Sequence, residues 1–391
     1  RRGAAGRQLG AYLRWMGGGG GRGCTSAPAD HGCRRLGRKR PANQRIPLDV
    51  ARPGKGAQQA HPYQLPERSA VTVDLQLDRT KPRRRRGDQR DAINLFLGID
   101  IGGTKIEAAV VDQDGAVRAS VRRATSADRG PEAVISEVVS AAVDVLEQVP
   151  AMVTGSGDGS GRPRVRGVGV GVAGQVDPAT GAVRYAPNLG WQDVPLGQRL
   201  ATALRLPVAV LNDVQAATFG EWVHGAGRGD SGLVCLFFGT GVGGGLVIGG
   251  QLVRGCSGSA GELGHTIVDL DGRPCRGGHA GCLEAYAGGW AMARRAREAV
   301  AAEPARGRVM LALAGNDPAM LTAGTVVEAA RQEDPMAAEI VRDVECALGA
   351  AAVSIVNALN PCTLLLGGGV VDGWPELVDV AHAAIQTGAL P

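Results

Sequence analysis

The chain has 391 residues, a formal net charge of +5, 61 glycines and only 3% aromatic residues. This length is enough for two or three domains with their own cores. Many glycines and few aromatics favour an α/β protein with tight loops over an aromatic-lined binding domain. Residues 1–91 contain 21 Lys/Arg and 7 Asp/Glu, so this segment carries +14 and the remainder −9. An acidic body gives no support to a nucleic-acid-binding role.

Residues 1–93 differ in composition from the rest of the chain. They contain GGGGGRG, CRRLGRKR and KPRRRRGDQR and show no sustained helical or strand periodicity. We interpret them as a basic, low-complexity, disordered extension, and the alternative is a basic arm for nucleic acid or another anionic surface. We expect removal of residues 1–91 to leave catalysis and solubility unchanged.

The cysteines and apolar runs bear on the compartment. Eight cysteines are scattered along the chain, which fits a reducing cytoplasm better than a disulfide scaffold. The N-terminus lacks the apolar run of a secretory signal. The uncharged run Gly232–Gly250 has nearly the length of a membrane span, but eight of its 19 residues are glycine. Glycine penalises a helix, so this run predicts two buried strands around a glycine loop.

The first predicted lobe, residues 94–211, begins with three strands in succession. LFLGIDI starts at Leu95, and KIEAAVVD and AVRASVRR follow after short turns, which predicts a meander. Apolar residues at helical spacing predict a helix from Pro131 to Val149. VRGVGVGVAG then predicts another buried strand.

The second predicted lobe, residues 212–391, repeats this theme. VAVLND predicts a strand that ends at a short helix, VQAATFGEWVHGAG, and the hairpin GLVCLFF and GGLVIGG follows. Asp334 and Pro335 predict the start of a long helix that Asn360 and Pro361 end. CTLLLGGG predicts a last strand. Two similar halves favour two α/β lobes related by duplication.

Three glycine turns follow predicted strands. In DIGGTK, Asp100–Lys105, the glycines allow a phosphate to approach backbone N–H groups, although a lone glycine hairpin is usually only a turn. FGTGVGGG, Phe238–Gly245, occupies the matching place in the second half, so the two loops together predict a phosphate clamp across a cleft. LGGGV, Leu366–Val370, either admits a flat base or forms a tight turn into a helix.

Polar side chains lie close to these turns. Asp213, in LND at a strand end, can accept a proton from an alcohol that attacks phosphorus, or it can cap the following helix. GELGH and CRGGHAGCLE bring carboxylates, histidines and cysteines close together in sequence. Glu262 and Glu284 can accept hydrogen bonds from sugar hydroxyls, and His265 is a second candidate there.

The ordered set of motifs resembles the ROK family (repressors, uncharacterised frames and sugar kinases) over about residues 95–390. The motifs are DIGGTK, GVAGQVD, APNLGW, LNDVQAATFGEW, GTGVGGG, AGELGH, GCLEAYA and LNPCTLLLGGG. The resemblance implies an actin-like (ribonuclease H-like) two-lobed α/β fold and a glucokinase-like enzyme that uses ATP and Mg²⁺. It also implies a homodimer or homotetramer.

The resemblance implies roles for individual residues. Asp213 is similar to the catalytic base of the family. The implied sugar-binding residues are Gly174, Asn188, Asn212, Glu262, His265 and Glu284. The implied nucleotide-binding residues are Asp100, Gly102, Gly103, Thr104, Lys105, Thr240, Gly241, Gly368 and Gly369.

Two departures from the family pattern concern a metal and the C-terminus. The family's zinc motif, Cys-x-Cys-Gly-x-x-Gly-Cys with an upstream His, retains His265, Cys275 and Cys282, but Gly277 stands at the middle cysteine. The sequence therefore predicts a weakened Zn²⁺ site, unless a water or a nearby residue such as His279 completes the shell. The family's C-terminal segment normally continues past the position of Pro391 into a helix that packs back on the first lobe. The sequence therefore predicts a truncated C-terminus that lacks this closure.

Three functions are left open by the residues and the resemblance. The leading one is phosphorylation of glucose to glucose 6-phosphate, and an N-acetylhexosamine kinase is a variant of it. A sugar-sensing repressor of the same family is the main rival, but residues 1–93 show no helix-turn-helix pattern. A degenerate, inactive kinase is the third.

Overall fold

The structure, a computed structural model, describes residues 12–14, 94–149 and 165–390. Apart from Tyr12–Arg14 (β1), which is a short strand, the predicted basic extension lies outside the described residues. Within the described ranges, no helix has both the length and the apolar character that crossing a bilayer requires.

The first sheet has five strands in the order β4-β3-β2-β5-β9. In β2, alternate residues from Leu95 to Ile101 are buried, as expected for a strand with one face on the core. The predicted meander is confirmed, since β2, β3 and β4 pair antiparallel, while β5 and β9 run parallel to β2. The strands are β2 (Leu95–Ile101), β3 (Lys105–Asp112), β4 (Val117–Ala124), β5 (Val165–Val172) and β9 (Val208–Asn212).

Two helices and a small sheet complete the first half. The predicted helix is present as α1 (Gly130–Glu147), and its apolar stripe joins the core of the first sheet. Helix α2 (Leu196–Leu204) packs into the same core through Leu196 and Leu200. The small antiparallel sheet consists of β6 (Gln175–Val176), β7 (Val183–Ala186) and β8 (Trp191–Val194).

The second sheet has the order β1-β13-β10-β11-β12. Its hairpin of β10 and β11 confirms that the uncharged run forms two strands around a glycine turn. The order β12-β11-β10-β13 repeats the order β4-β3-β2-β5 of the first sheet, as duplication predicts. The strands are β10 (Gly232–Phe238), β11 (Val242–Ile248), β12 (Gln251–Leu252) and β13 (Thr363–Gly367).

Helices cover the second sheet and form the larger core. The predicted long helix is α8, which begins at Pro335 and ends at Leu359. Asp334 is its N-cap and accepts hydrogen bonds from the N–H groups of Met336 and Ala337, as predicted. The other helices after β9 are α3 (Asp213–Val223), α4 (Glu284–Ala287), α5 (Gly289–Ala302), α6 (Arg308–Leu313), α7 (Ala323–Arg331), α9 (Gly369–Gly373) and α10 (Leu377–Gly388).

Candidate active site

Three parallel strands of the first sheet end at one edge. Asp100 on β2 lies in register with Gly171 on β5, and Gly171 lies in register with Leu211 on β9. Because the carboxyl ends of parallel strands share an edge, Asp100 and the Asn212–Asp213 pair lie close together. A Cβ built on Gly171 would lie 3.4 Å from Asp213 Cα and 3.9 Å from Asp100 Oδ1. The two carboxylates therefore flank a glycine that leaves the space between them open.

The N-cap of helix α3 is Asn212, not Asp213. Asn212 Oδ1 accepts hydrogen bonds from the N–H groups of Val214 (3.0 Å) and Gln215 (3.1 Å). Asp213 Oδ1 accepts from Val214 N (3.0 Å) and from Asn212 Nδ2 (2.9 Å). Asp213 Oδ2 has no hydrogen-bond partner among the described residues. The two hydrogen bonds to Oδ1 thus fix the orientation of the carboxylate.

Burial shapes the electrostatics of this edge. Burial raises the pKa of Asp213 above the usual aspartate value, although hydrogen bonds from Val214 N and Asn212 Nδ2 lower it in part. The pKa of Asp100 is also raised, by burial first and then by the negative charge of Asp213. Burial likewise raises the pKa of Glu262, while His265 lowers it. The site is therefore a partly dehydrated pocket with three acidic groups.

Two of the predicted sugar-pocket residues, Gly174 and Asn212, contact each other, and a third, Asn188, lies beside the first glycine loop. Asn212 Nδ2 donates to the carbonyl of Gly174 (3.2 Å), which joins the two motifs. Gly174 packs so closely on β7 that a Cβ would lie 2.7 Å from the Tyr185 carbonyl. Asn188 lies beside the first glycine loop, since a Cβ on Gly103 would be 2.8 Å from its carbonyl oxygen.

The GELGH segment packs on the glycines of β11. A Cβ on Gly244 would lie 2.8 Å from Leu263 Cβ, and one on Gly264 would overlap the carbonyl of Val242. Gln215 Nε2 on α3 donates to the carbonyls of Gly258 (3.0 Å) and Ala260 (2.9 Å), which fixes the approach to this segment. These contacts bring Glu262 near Asp213, His265 and Glu284, whose charges all act on its pKa.

Glu284 is anchored to the second glycine loop. Its Oε2 accepts from Val242 N (3.0 Å) and its Oε1 accepts from the indole N–H of Trp290 (3.0 Å). A side chain on Gly241 would meet this carboxylate, so the glycine is needed for the contact. Each oxygen of Glu284 keeps one lone pair for a further donor.

Two of the predicted nucleotide-binding residues, Thr240 and Gly369, border a cleft of about 400 Å³. The second glycine loop and the LGGG turn therefore meet at this cleft. Gly368 has φ +93° and packs on Phe238, where a Cβ would lie 2.5 Å from the carbonyl oxygen. No sequence motif marks the rest of the lining, because these residues carry no charge and no glycine-rich signature: Gly289, Trp290, Ala293, Leu321, Thr322, Ala323 and Gly324.

The first glycine loop is a tight hairpin. Gly102 N donates to the carbonyl of Lys105 (2.9 Å), and Thr125 closes the loop by contacts with the carbonyls of Gly102 and Thr104. The Lys105 ammonium is half-exposed and lies 3.7 Å from Glu107 Oε2. The N–H of Gly102 is therefore used within the hairpin, and the Lys105 ammonium is paired with Glu107.

The predicted metal residues also come together. Cys275 Sγ lies 3.4 Å from His265 Nδ1, and Cys275 contributes after burial to raising the pKa of Cys282 to about 11. The ligand atom of His279 lies within 4.8 Å of those of His265 and Cys282, whereas Cys275 forms such a group with His265 and Glu284.

Comparison with known proteins agrees with this geometry. The ROK family model matches residues 96–387. A glucokinase from Streptomyces coelicolor is 36% identical over 287 residues, which are 73% of this chain and 86% of that protein.

Two solved structures resemble the fold. The ROK family glucokinase from Streptomyces griseus, in complex with glucose and AMPPNP, is 35% identical with a TM-score of 0.61, over 76% of this chain and 90% of that one. The ROK hexokinase from Thermus thermophilus is 30% identical with a TM-score of 0.61, over 76% and 91%. The two α/β lobes are therefore the predicted actin-like fold, and the chain belongs to the ROK family.

Proposed function

We propose that this protein is an ATP-dependent sugar kinase that phosphorylates a hexose hydroxyl, with glucose as the acceptor and Asp213 as the general base. The observation that carries the proposal is the edge of the first sheet. There the half-buried, oriented carboxylate of Asp213 lies close to Asp100, the first residue of the first glycine loop. The glucokinases among the relatives support the choice of glucose.

Asp213 has the features that a general base needs. A base must lie within hydrogen-bond reach of the proton that it removes, and its pKa should be nearer to the working pH than that of a free aspartate. Asp213 Oδ1 is held by Val214 N and Asn212 Nδ2, which leaves Oδ2 for the sugar hydroxyl. Burial raises the pKa of this carboxyl, which strengthens it as a base.

The remaining residues are proposed to position the two substrates. Asn188, Asn212 and Glu262 supply donors and acceptors for sugar hydroxyls, and Glu284 and His265 border the same pocket from the second half. Backbone N–H groups of the two glycine loops are proposed to hold the phosphates, and the 400 Å³ cleft the adenosine. Mg²⁺ bound with the nucleotide would neutralise phosphate charge, and Asp100 offers the oxygen ligand that this ion prefers.

A coupled assay over a panel of acceptors and donors tests the proposal. The acceptors are glucose, mannose, fructose, N-acetylglucosamine and N-acetylmannosamine, and the donors are ATP and polyphosphate. We expect ATP-dependent product with glucose at the highest kcat/KM. Product only with an N-acetylhexosamine would contradict the proposed acceptor. Sugar binding by calorimetry without turnover would contradict the kinase and favour a sugar sensor.

A further inference from the structure

We propose that Trp290 is a positioning residue that serves both substrates of the proposed kinase. Its indole N–H holds the Glu284 carboxylate in the orientation that accepts a sugar hydroxyl, and its ring forms part of the wall of the nucleotide cleft. The inference rests on the proposed function, because it gives Trp290 a task within the same site.

The Glu284 carboxylate is held from two sides. Its Oε1 accepts from Trp290 Nε1 and its Oε2 from Val242 N, each at 3.0 Å. A Cβ built on Gly288 would lie 3.0 Å from Glu284 Cγ, and one on Gly241 would overlap Oε2. The two donors and the two close glycines therefore restrict this side chain to one orientation. Of the two donors, only Trp290 acts through its side chain, so only this hydrogen bond can be removed by substitution.

The backbone of Trp290 is tied to the second glycine loop. Trp290 is the second residue of α5, and the first N–H groups of a helix have no partner within it. Here Gly289 N donates to the carbonyl of Gly239 (3.0 Å) and Trp290 N to that of Thr240 (2.9 Å). Helix α5 therefore begins directly on the loop that is proposed to hold phosphate, and we expect the loop and the indole to move together.

Two guanidinium groups hold the indole ring in place. Arg276 Cζ lies 4.4 Å from the centroid of the Trp290 ring and Arg294 Cζ lies 4.9 Å from it. Both distances are within the roughly 6 Å over which a cation attracts an aromatic face. Arg294 follows Trp290 by one turn of α5, whereas Arg276 belongs to the CRGGHAGCLE segment. Because Trp290 is also only 9% exposed, its ring has little room to change rotamer.

The same ring borders the cleft of about 400 Å³. The described residues that line this cleft carry no charged side chain, and Trp290 is the largest of them. Loss of the ring would therefore change the shape of the cleft more than any other single truncation. One side chain thus contacts the proposed sugar ligand Glu284 through its N–H and the proposed nucleotide site through its ring.

Trp290→Phe tests the N–H separately from the ring. Phenylalanine keeps an aromatic ring at the cleft but removes the donor to Glu284. We expect the KM for glucose to rise about 10-fold, the order of effect when a hydrogen bond to a charged group is lost. The KM for ATP should stay as in the wild type. An unchanged KM for glucose would overturn the proposal.

Trp222→Phe is the matched control, because it removes an indole donor of the same kind outside the site. Trp222 Nε1 donates to the carbonyl of Asp230 (3.0 Å). We expect both variants to lose some thermal stability, but only Trp290→Phe to change the KM for glucose. An equal rise of this KM in both variants would indicate a merely structural role and would overturn the proposal.

Trp290→Leu removes the ring as well and tests the second task. The KM for glucose and the KM for ATP should then both rise, and circular dichroism checks that the variant is folded. A folded Trp290→Leu protein with the ATP KM of the wild type would contradict the role of the ring at the nucleotide cleft.

Glu284→Gln shows whether Trp290 acts through Glu284. A neutral amide is a weaker partner for the indole N–H than a carboxylate. Adding Trp290→Phe to Glu284→Gln should therefore raise the KM for glucose much less than Trp290→Phe does in the wild type. The same factor in both backgrounds would mean that Trp290 acts by another route, which would contradict the proposal.

Dissociation constants keep this test separate from a test of the kinase. Glucose and an unhydrolysable ATP analogue are titrated by calorimetry into the wild type and the tryptophan variants, and the same pattern as for the KM values is expected. Glucose binding without turnover in the wild type would contradict the proposed function, while the affinities would still report on Trp290. Equal glucose affinity of the wild type and Trp290→Phe would overturn this inference alone.

Discussion

The proposed chemistry depends on Asp213. Its burial favours its role as a base but lowers the stability of the folded protein when the carboxylate is charged. Its carboxylate is oriented by Val214 N and Asn212 Nδ2 and is desolvated by its surroundings. Desolvation disfavours the charged form, so the folded protein binds a proton at Asp213 more tightly than the unfolded chain does. The charged carboxylate therefore lowers stability at neutral pH.

Replacing Asp213 with Asn should abolish turnover and raise stability. The amide keeps an oxygen for Val214 N but accepts no proton from the alcohol, so kcat should fall about 10²–10⁴-fold. Removing a buried charge should raise the free energy of unfolding at pH 7 by about 0.5–2 kcal/mol. Steady-state kinetics and urea unfolding check both. Near-normal kcat would show that Asp213 is not the base.

The pH profile of kcat should have an acid limb above the usual aspartate pKa of 3.8. Asp213 must be ionised to accept the proton, so the rate falls as the pH falls through its raised pKa. The effect on stability runs the other way. Above that pKa the charged carboxylate lowers the free energy of unfolding, and protonation removes this penalty as the pH falls through the pKa. Kinetics with saturating sugar and ATP measure the limb. A midpoint at or below the usual value would contradict the burial argument.

Strand β5 is the element that keeps the two carboxylates apart. Its valines Val168, Val170 and Val172 face the core, and its glycines lie on the opposite face. At Gly171 that face meets α3, where Ala216 Cβ would lie 3.5 Å from an added Cβ. The alternation of the strand thus places a residue without a side chain between Asp100 and Asp213.

Changing Gly171 to Ala should impair catalysis without unfolding the protein. The methyl group meets its neighbours at ordinary contact distances of 3.4–3.9 Å but fills the space between the Asp213 backbone and the Asp100 carboxylate. We expect the KM for ATP to rise and kcat to fall, with a thermal midpoint close to that of wild type. Gly169→Ala is the matched control, because the same strand face has no atom within 4 Å of an added Cβ there. Equal kinetics for both variants would refute this role of Gly171.

At the scale of the whole molecule, the second sheet differs from the first at its fifth position. Parallel strand β9 takes that position in the first sheet, whereas β1 takes it in the second and pairs antiparallel with β13. Residues Thr363–Gly367 of β13 are all buried. The ladder between β1 and β13 therefore closes an apolar sheet edge, which would otherwise be open to association.

Deleting residues 1–91 should leave kcat and both KM values unchanged, because every candidate-site residue follows Asn94. It should lower the thermal midpoint and promote concentration-dependent association, since the edge of β13 loses its partner. This replaces the sequence-based expectation of unchanged solubility, because the pairing of β1 with β13 is visible only in the structure. Deleting only residues 18–89 keeps β1 and serves as the control. Melting curves and size-exclusion chromatography compare the two proteins. Equal stability of the two would show that β1 contributes nothing measurable.

The sequence by itself determined the elements and the motifs of this protein. Period-two burial in β2, the Asp334 cap of α8 and the glycine turn between β10 and β11 are local effects, and each follows from a few neighbouring residues. The ordered motifs also identified the family, because their order and spacing can be read directly from the sequence.

Only the tertiary structure decided which of two local roles a residue plays. The sequence allowed Asp213 to be either a base or the cap of α3, and the hydrogen bonds to Val214 and Gln215 assign the cap to Asn212. The lining of the 400 Å³ cleft by Trp290 and Leu321 depends on contacts between distant segments, and the approach of His279 to His265 and Cys282 depends on a tight turn. Such contacts are set by packing and main-chain closure, which no local pattern encodes.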